Sequence, residues 1–161
     1  MAKKRLDKLD SQIVAALQVD GRVSFSKLAK ELGVAEGVVR YRYHNLRNRD
    51  VLRVVGIADP LKVGFEVMAL LGMKVRPGTT ESVVEKLGAH EEISYLLVTS
   101  GSYDIFCEVM CRDHEHFGKL LHEQIHRIDG VVETQSFIVL GTPKLSYGWG
   151  TSDVPTALAE E

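Results

Sequence analysis

Hydrophobic residues recur along the first third of the chain with the period of amphipathic helices. Apolar positions recur at steps of three and four residues over about Lys8–Val19, which predicts a first helix. Ser24 is a favourable N-cap for a second helix, and Gly33 favours its end. A third helix is predicted over about Ala35–Arg49. Short helices in this order, with a tight turn after the second, are typical of a helix-turn-helix unit.

The third predicted helix has one apolar face and one face suited to nucleic acid. Val39, Tyr43 and Leu46 cluster on one side and are expected to pack inward. On the other side, arginine can donate two hydrogen bonds to guanine, while tyrosine and histidine can reach phosphates or base edges. An ordinary solvated helix face would account for any one of these residues. The pattern as a whole favours a helix that reads double-stranded DNA, through Glu36, Gly37, Arg40, Tyr41, His44 and Arg47.

Charge divides the chain in the same way. Residues 1–58 carry a local charge of +6 and residues 59–161 a local charge of −8, within a net charge of −2. A basic module gains affinity for DNA by releasing condensed counterions, and an acidic one is repelled by the phosphates. The basic first part of the chain is therefore the candidate DNA-binding unit, and the acidic remainder is expected to have a different role.

After residue 52 the period becomes that of strands, beginning with a connecting strand and hinge over residues 53–64. The remaining pattern predicts the order βαββαβ, which is typical of an α+β, ferredoxin-like fold with both helices on one face of an antiparallel sheet. Thr80 is expected to cap the first of these two helices. The predicted elements are strand Glu66–Val75, helix Glu81–Ala89, strands Ile93–Thr99 and Asp104–Cys111, helix Asp113–Ile128 and strand Val131–Leu140.

These patterns predict four segments: a helix-turn-helix DNA-binding domain over residues 1–52, the hinge over 53–64, the βαββαβ domain over 65–141 and a tail over 142–161. The second face of the sheet is rich in Met, Leu, Val and Phe, so a second copy of the chain is its expected cover. A homodimer would also match paired DNA half-sites. In the tail, residues 143–150 are expected to dock on a neighbouring subunit and the rest to be disordered.

The motifs together resemble the Lrp/AsnC (leucine-responsive, feast/famine) family of transcriptional regulators over about residues 6–141. The resemblance implies a DNA-binding front domain. It also implies a RAM/ACT-like second domain that dimerises, assembles larger homo-oligomers up to an octamer, and binds small effectors, commonly amino acids. The chain differs from the family at Ala35, Glu36 and Gly37, which open the reading helix, and at Asp50, where glycine is usual. The motifs are LDKLDSQIVAALQVDGRVSFSKLAKELGV, VVRYRYHNL, DPLKVGF, VTSGSYDI and DGVVETQSFIVL.

By the same resemblance, the turn from Thr99 to Asp104 corresponds to the family's glycine-containing effector loop. Gly101 can present backbone N–H groups to a carboxylate, and Asp104 can accept an ammonium group. Part of the last strand would form the opposing wall across a subunit boundary. A simple hairpin turn is the alternative for the loop. The predicted effector-binding residues are Thr99, Gly101, Tyr103, Asp104, Thr134 and Ser136.

Three features bear on an enzymatic role. His122-Glu123-Gln124-Ile125-His126 matches the HExxH zinc-protease motif, but its histidines are predicted to face solvent rather than a cleft. Siroheme decarboxylases resemble the same two-domain family and are the second enzymatic possibility, yet the stretch Ile57–Lys62 lacks the histidine associated with their activity. No nucleophile–base arrangement stands out in the sequence. We therefore expect a regulator without catalytic activity, cofactor or metal; the alternative is an oligomeric metabolite sensor without specific DNA binding.

The sequence also predicts a cytoplasmic location. It contains neither the apolar core of a signal peptide nor an apolar run of membrane-spanning length. Cys107 and Cys111 are the only cysteines, and their spacing puts both on one side of a predicted strand, as reduced thiols.

Overall fold

The computed structural model describes residues 6–145 and Gly148. The chain forms two compact units: the first ends at Ile57, and the second covers Ala58–Pro143. No helix in the described part is long and apolar enough to cross a membrane. Four of the eight residues predicted to dock, at positions 146, 147, 149 and 150, lie outside the described residues, as do all of those predicted to be disordered.

The first unit is the predicted set of three helices. The Asp7 carboxylate caps the first helix by accepting a hydrogen bond from the Asp10 N–H at 2.8 Å. The Ser24 hydroxyl caps the second by accepting from the Lys27 N–H at 3.1 Å. Gly33 ends that helix in the left-handed region, with φ of 66°, which glycine adopts without strain. The helices are α1 (Lys8–Val19), α2 (Phe25–Leu32) and α3 (Glu36–Asn48).

A single apolar core holds these helices together. The side chains predicted to face inward from α3 behave as expected, since Val39 and Leu46 are fully buried and Tyr43 is half-buried against them. After α3 the chain turns at Asp50, whose φ of 52° is the one positive value among the described non-glycine residues. The Val51 N–H then donates to the Leu46 carbonyl at 2.9 Å. Asp50 thus takes a left-handed conformation, which aspartate tolerates better than most residues other than glycine.

The prediction of a connecting strand was wrong. The described chain forms no strand between Leu52 and Asp59, because no neighbouring strand accepts its backbone hydrogen bonds, and Val55 and Ile57 are exposed. Asp59 instead caps a single 3₁₀ turn, Pro60–Val63, by accepting from the Leu61 N–H at 3.1 Å.

The second unit has the predicted order βαββαβ. Its four strands form one antiparallel sheet in the spatial order β2-β3-β1-β4. Both helical segments pack on one face, which we call the inner face. The elements are β1 (Val67–Val75), α4 (Thr80–Leu87), β2 (Ile93–Val98), β3 (Ile105–Cys111), α5 (His114–Lys119) and β4 (Val131–Ile138).

Two helices of this unit depart from the prediction. α4 begins at Thr80 itself, and Thr79, which occupies the N-cap position, makes no side-chain capping bond. The predicted long second helix is α5 alone, followed by a wider π-type stretch over Leu120–Gln124 and a 3₁₀ turn. Leu120 and Ile125 explain the change: both are fully buried, and a residue spacing of five brings both to the sheet only if the helix widens there.

The opposite, outer face of the sheet is only partly covered within one chain. Alternate residues of each strand point to it, because side chains alternate across a strand. Its middle is apolar and includes Leu70, Leu97 and Phe137, each 41% exposed. Towards one end it becomes charged, with Lys74 of β1 and Glu133 of β4 paired at 2.7 Å.

Candidate functional site

The exposed face of α3 consists of the residues that the sequence predicted. We call it the reading face; on the opposite side of the helix, Val39 and Leu46 are buried in the core. Its members are all exposed to solvent: Glu36, Gly37, Arg40, Tyr41, His44 and Arg47.

Arg40 is held at two points although it is exposed. Its Nη2 donates to Glu36 Oε1 at 2.5 Å, one helical turn away. Its guanidinium carbon also lies 5.3 Å from the centroid of the Phe25 ring, a cation–π distance. Phe25 belongs to the first turn of α2, so the helix before the turn orients a side chain of the reading helix.

A small aromatic group supports the same face. Phe25 and Tyr43 have ring centroids 5.0 Å apart, and Tyr43 contacts the His44 ring edge-on at 5.5 Å. The guanidinium of Arg47 lies 5.9 Å from the Tyr43 centroid. The sequence indicated Tyr43 as a core residue but gave no sign that it would also contact two residues of the reading face.

Arg42 has a different role from the other arginines of α3. Its Nη1 contacts the carboxylates of Asp7 and, at 3.1 Å, Asp10. Asp10 is only 7% exposed, so a buried acid of α1 is neutralised by α3. The Asp10 N–H and then Arg42 lower the pKa of Asp7, and the two carboxylates raise the pKa of Arg42. Sequence reasoning missed this contact, whose only signal was an acidic residue among the apolar positions of α1.

In the second unit, the predicted effector loop is an ordered turn between β2 and β3. The Thr99 hydroxyl donates to the Tyr103 carbonyl at 2.7 Å, and the Thr99 N–H donates to the Asp104 carbonyl at 2.8 Å. Gly101 lies at the exposed tip with φ of 133°, a conformation that side-chain-bearing residues rarely adopt. The tip can therefore present backbone groups to a ligand.

Asp104 joins this loop to β1. Its Oδ2 accepts from the Val75 N–H at 2.8 Å, and its own N–H donates to the Met73 carbonyl at 2.9 Å. The predicted ammonium acceptor thus also has a structural function that the sequence did not reveal.

Tyr103 packs over Gly72 on the outer face. A Cβ atom at Gly72 would lie 3.0 Å from Cγ of Tyr103 and 3.1 Å from the Phe106 ring, so only glycine leaves room for the tyrosine. The Tyr103 and Phe106 rings meet edge-on at 5.3 Å. Gly72 of β1 therefore helps to position Tyr103, one of the predicted effector-binding residues.

Thr134 and Ser136 face the other way. Thr134 is paired with the buried Met73, and Ser136 with Leu71, which places both on the inner face. Within one chain the structure does not bring them together with Tyr103. The Thr134 hydroxyl oxygen is buried without a hydrogen-bond partner. A shallow cavity of about 250 Å³ lies at this end of β4, lined by His126, Val131, Val132, Glu133 and Thr134.

The HExxH segment lies on the surface, as predicted. His122 and His126 are exposed, with ring centroids 5.1 Å apart. Burial and the neighbouring His122 lower the pKa of His126. Residues 6–145 contain no group of three or more metal-ligating side chains that could hold an ion.

Comparisons with known proteins cover both units. Residues 6–47 match the model of the AsnC-type helix-turn-helix domain, and residues 68–149 match that of the Lrp/AsnC ligand binding domain. The HTH-type transcriptional regulator Ptr1 of Methanocaldococcus jannaschii is 35% identical, over 86% of this chain and 95% of its own length. The uncharacterized HTH-type transcriptional regulator PH0140 of Pyrococcus horikoshii is 32% identical, over 90% and 92%.

Solved structures show the same architecture. AsnC of E. coli superposes with a TM-score of 0.78 at 28% identity, covering 88% of this chain and 97% of that one. The regulator NMB0573 of Neisseria meningitidis, solved as a complex with L-Met, gives a TM-score of 0.82 at 19% identity, covering 92% and 98%. The second likeness is one of fold alone.

Proposed function

Because the chain belongs to the Lrp/AsnC family of transcriptional regulators, which are not enzymes, we propose that it binds specific double-stranded DNA sites and responds to a small effector, an amino acid or a related metabolite. The two domain models that match this chain are those of a helix-turn-helix domain and of a ligand-binding domain. The residues that perform these two tasks, and the class of effector, are part of the same proposal.

The observation that carries DNA binding is the exposure of the whole reading face on a helix whose opposite side is buried in the core. Base edges are read by side chains near the start of a recognition helix, and phosphate contacts fix its register. Glu36, Gly37 and Arg40 occupy the first turns of α3, while Tyr41, His44 and Arg47 extend the face. We assign base contacts to Arg40, and phosphate or base-edge contacts to Tyr41, His44 and Arg47.

For the effector, we propose a site that two protomers complete. The loop carrying Thr99, Gly101, Tyr103 and Asp104 offers backbone N–H groups and a carboxylate, which suit the carboxylate and ammonium groups of an amino acid. Thr134 and Ser136 point away from that loop within one chain, so they can act as its opposing wall only from a second copy. The neighbour solved with L-Met supports the choice of an amino acid as the effector class.

We also propose that the chain works as a homodimer or a larger homo-oligomer, up to an octamer. The support is the apolar middle of the outer face, around Leu70, Leu97 and Phe137, which a single chain leaves exposed. Two protomers would present two reading helices to the two halves of a DNA site.

Promoter footprinting at fixed salt, repeated with a panel of amino acids, tests the proposal. We expect a protected site upstream of regulated genes and a change in protection with one class of amino acid. Arg40→Ala should abolish site-specific protection while leaving the fold intact. Protein that binds an amino acid but protects no DNA would instead be a metabolite sensor, and the DNA-binding proposal would be wrong.

A further inference from the structure

Glu36 is an unexpected residue on a surface that should meet the phosphates of DNA. We infer that Arg40 and Glu36 read one G·C base pair together in the major groove, with Arg40 donating to guanine and Glu36 both positioning Arg40 and accepting from cytosine. The inference rests on the proposed function, because it requires α3 to enter the groove.

The first support is the geometry of the pair. Arg40 donates one N–H to Glu36 Oε1 at 2.5 Å and lies 5.3 Å from the Phe25 centroid, so its guanidinium is held from two directions. Both charged groups remain open to solvent, with side-chain exposures of 56% and 45%. A guanidinium has five N–H donors in a fixed plane, so the contact with Glu36 leaves donors for a bidentate bond. An arginine that is oriented before binding loses less side-chain freedom when it binds.

The second support is chemical complementarity to a base pair. In the major groove a G·C pair presents two acceptors, N7 and O6 of guanine, followed by one donor, N4 of cytosine. The Arg40–Glu36 pair supplies the complementary groups: the guanidinium N–H donors that Glu36 does not use, and the second carboxylate oxygen, Oε2, of the acid that Arg40 contacts. An A·T pair presents an acceptor, a donor and an acceptor, which would place its N6 donor against the guanidinium and the thymine O4 against the carboxylate.

The third support is that the fold explains Glu36 only in part: the helix dipole favours a negative charge in the first turn of α3, after the uncapped Ala35, but it does not require the contact with Arg40. An exposed ion pair between residues four apart contributes little to stability. A carboxylate on this surface also weakens attraction to every phosphate, because binding to DNA backbone grows with positive charge. A Cβ atom at the neighbouring Gly37 would meet no other element of the chain within 4 Å, so the helix start is open for close approach to the groove. A residue that weakens general binding but completes a base-reading group increases discrimination.

Loss of the Glu36 carboxylate should strengthen non-specific binding to DNA and weaken discrimination between base pairs. In Glu36→Ala, affinity for non-specific duplex DNA should rise and its salt dependence should steepen, by about one unit of slope. The ratio between the selected site and the same site with G·C replaced by A·T should fall about tenfold or more, since one well-made pair of base contacts discriminates by that order. Arg40→Lys should lose the same preference without gaining non-specific affinity.

The experiment starts with selection of binding sites from a random duplex library by the full-length wild-type protein, Glu36→Ala and Arg40→Lys. Affinities for the selected site are then measured across salt concentrations. Asp20→Asn is the matched control: it removes one negative charge from an exposed position of the same unit, where the Arg22 N–H donates to Asp20. We expect it to leave the G·C preference unchanged. Thermal unfolding of each variant verifies that the helices remain folded.

Base analogues locate the contact. Replacing the guanine by 7-deazaguanine removes the N7 acceptor and should weaken wild-type binding, whereas inosine keeps the major-groove edge and should not. A selected site without a G·C preference that depends on both residues would overturn the inference while leaving DNA binding established. Equal loss of specific and non-specific affinity in Glu36→Ala would also overturn it. Failure to select any site would instead refute the proposed function together with this inference.

Discussion

The carboxylate of Asp104 accepts a hydrogen bond from the backbone N–H of Val75, with 2.8 Å between Oδ2 and N. The bond lies where the pairing of β1 with β4 shifts register, between Lys74 and Val75. We predict that Asp104→Ala lowers the free energy of unfolding of the second unit by about 1–2 kcal/mol, because a half-buried N–H loses its acceptor. Urea denaturation measures this change.

Asp104→Asn separates this structural role from an effector role. Its side-chain oxygen can still accept from Val75, so stability should be largely retained, whereas loss of the charge should weaken binding of an effector ammonium group. Asp129→Ala is the control, since Asp129 is an exposed acid paired at the surface with Arg76, and its loss should change stability by about 0.5 kcal/mol or less. Full effector affinity in Asp104→Asn would contradict the proposed ammonium contact.

The close packing of Tyr103 on Gly72 gives a second prediction. In Gly72→Ala the new methyl group must displace the Tyr103 ring, because a Cβ atom there would lie only 3.0 Å from Cγ of the tyrosine. We expect a loss of about 1–3 kcal/mol in unfolding free energy, as for other overpacked sites. We also expect weaker effector binding, measured by calorimetry.

Gly118→Ala is the matched control for this substitution. Gly118 lies in α5, and a Cβ atom there would meet no other element of the chain within 4 Å, so alanine should be neutral or stabilise the helix by about 0.5–1 kcal/mol. Equal effects at both glycines would mean that contact with Tyr103 is unimportant.

Local sequence signals were sufficient for most of the fold. Ser24 and Gly33 bound α2 as predicted, since a cap or a left-handed turn depends on residues within a few positions. The order βαββαβ followed from the periods of apolar residues. The predicted strand after Leu52 failed because a strand depends on a partner, and periodicity alone cannot supply one.

The candidate sites were less predictable because their key contacts join distant parts of the chain. Arg42 and Asp7 are 35 residues apart, and Asp104 and Val75 are 29 apart. Neither pair has a local pattern. The inward direction of Thr134 likewise depends on the register of β4 against β1, which the sequence of β4 does not specify.

The contact between Arg42 and two acids of α1 leads to a third prediction. Arg42→Ala leaves the nearly buried Asp10 without its cation, so the first unit should lose about 1–3 kcal/mol, between the values for exposed and for buried ion pairs. Arg53→Ala removes an exposed arginine that pairs with the equally exposed Asp50, and it should change stability by about 0.5 kcal/mol or less. Urea denaturation, followed by the circular dichroism of the helices, measures the unfolding free energy of both variants. An Arg42→Ala protein as stable as Arg53→Ala would exclude this role.

The lowered pKa of Asp7 predicts that the first unit becomes less stable in acid. Because the folded-state pKa lies below the ordinary 3.8, the stabilisation by Asp7 is complete above that value and is lost as pH falls through the folded-state pKa. Asp7→Ala should therefore lower the free energy of unfolding by about 1 kcal/mol at neutral pH, the usual contribution of a helix cap. Towards lower pH, below the ordinary value, the difference from wild type should shrink. A difference that stayed constant throughout the acid range would show that the ionised carboxylate is not responsible.

The two cysteines provide a final prediction about opening of the sheet unit. Both thiols are buried on the inner face, and burial raises the pKa of Cys107 to about 12 and that of Cys111 to about 11. Because the thiolate is the reactive form, we expect a disulfide reagent at mildly alkaline pH to modify the native protein only as fast as the unit opens, and to modify urea-unfolded protein at once. Comparing Cys107→Ala with Cys111→Ala assigns the two rates. Cys111 is the last residue of β3 and can also react through local opening of the strand end, so Cys107, inside the strand, should be the slower to react. Rapid modification of both thiols in the folded protein would mean that this core is open on the timescale of the reaction.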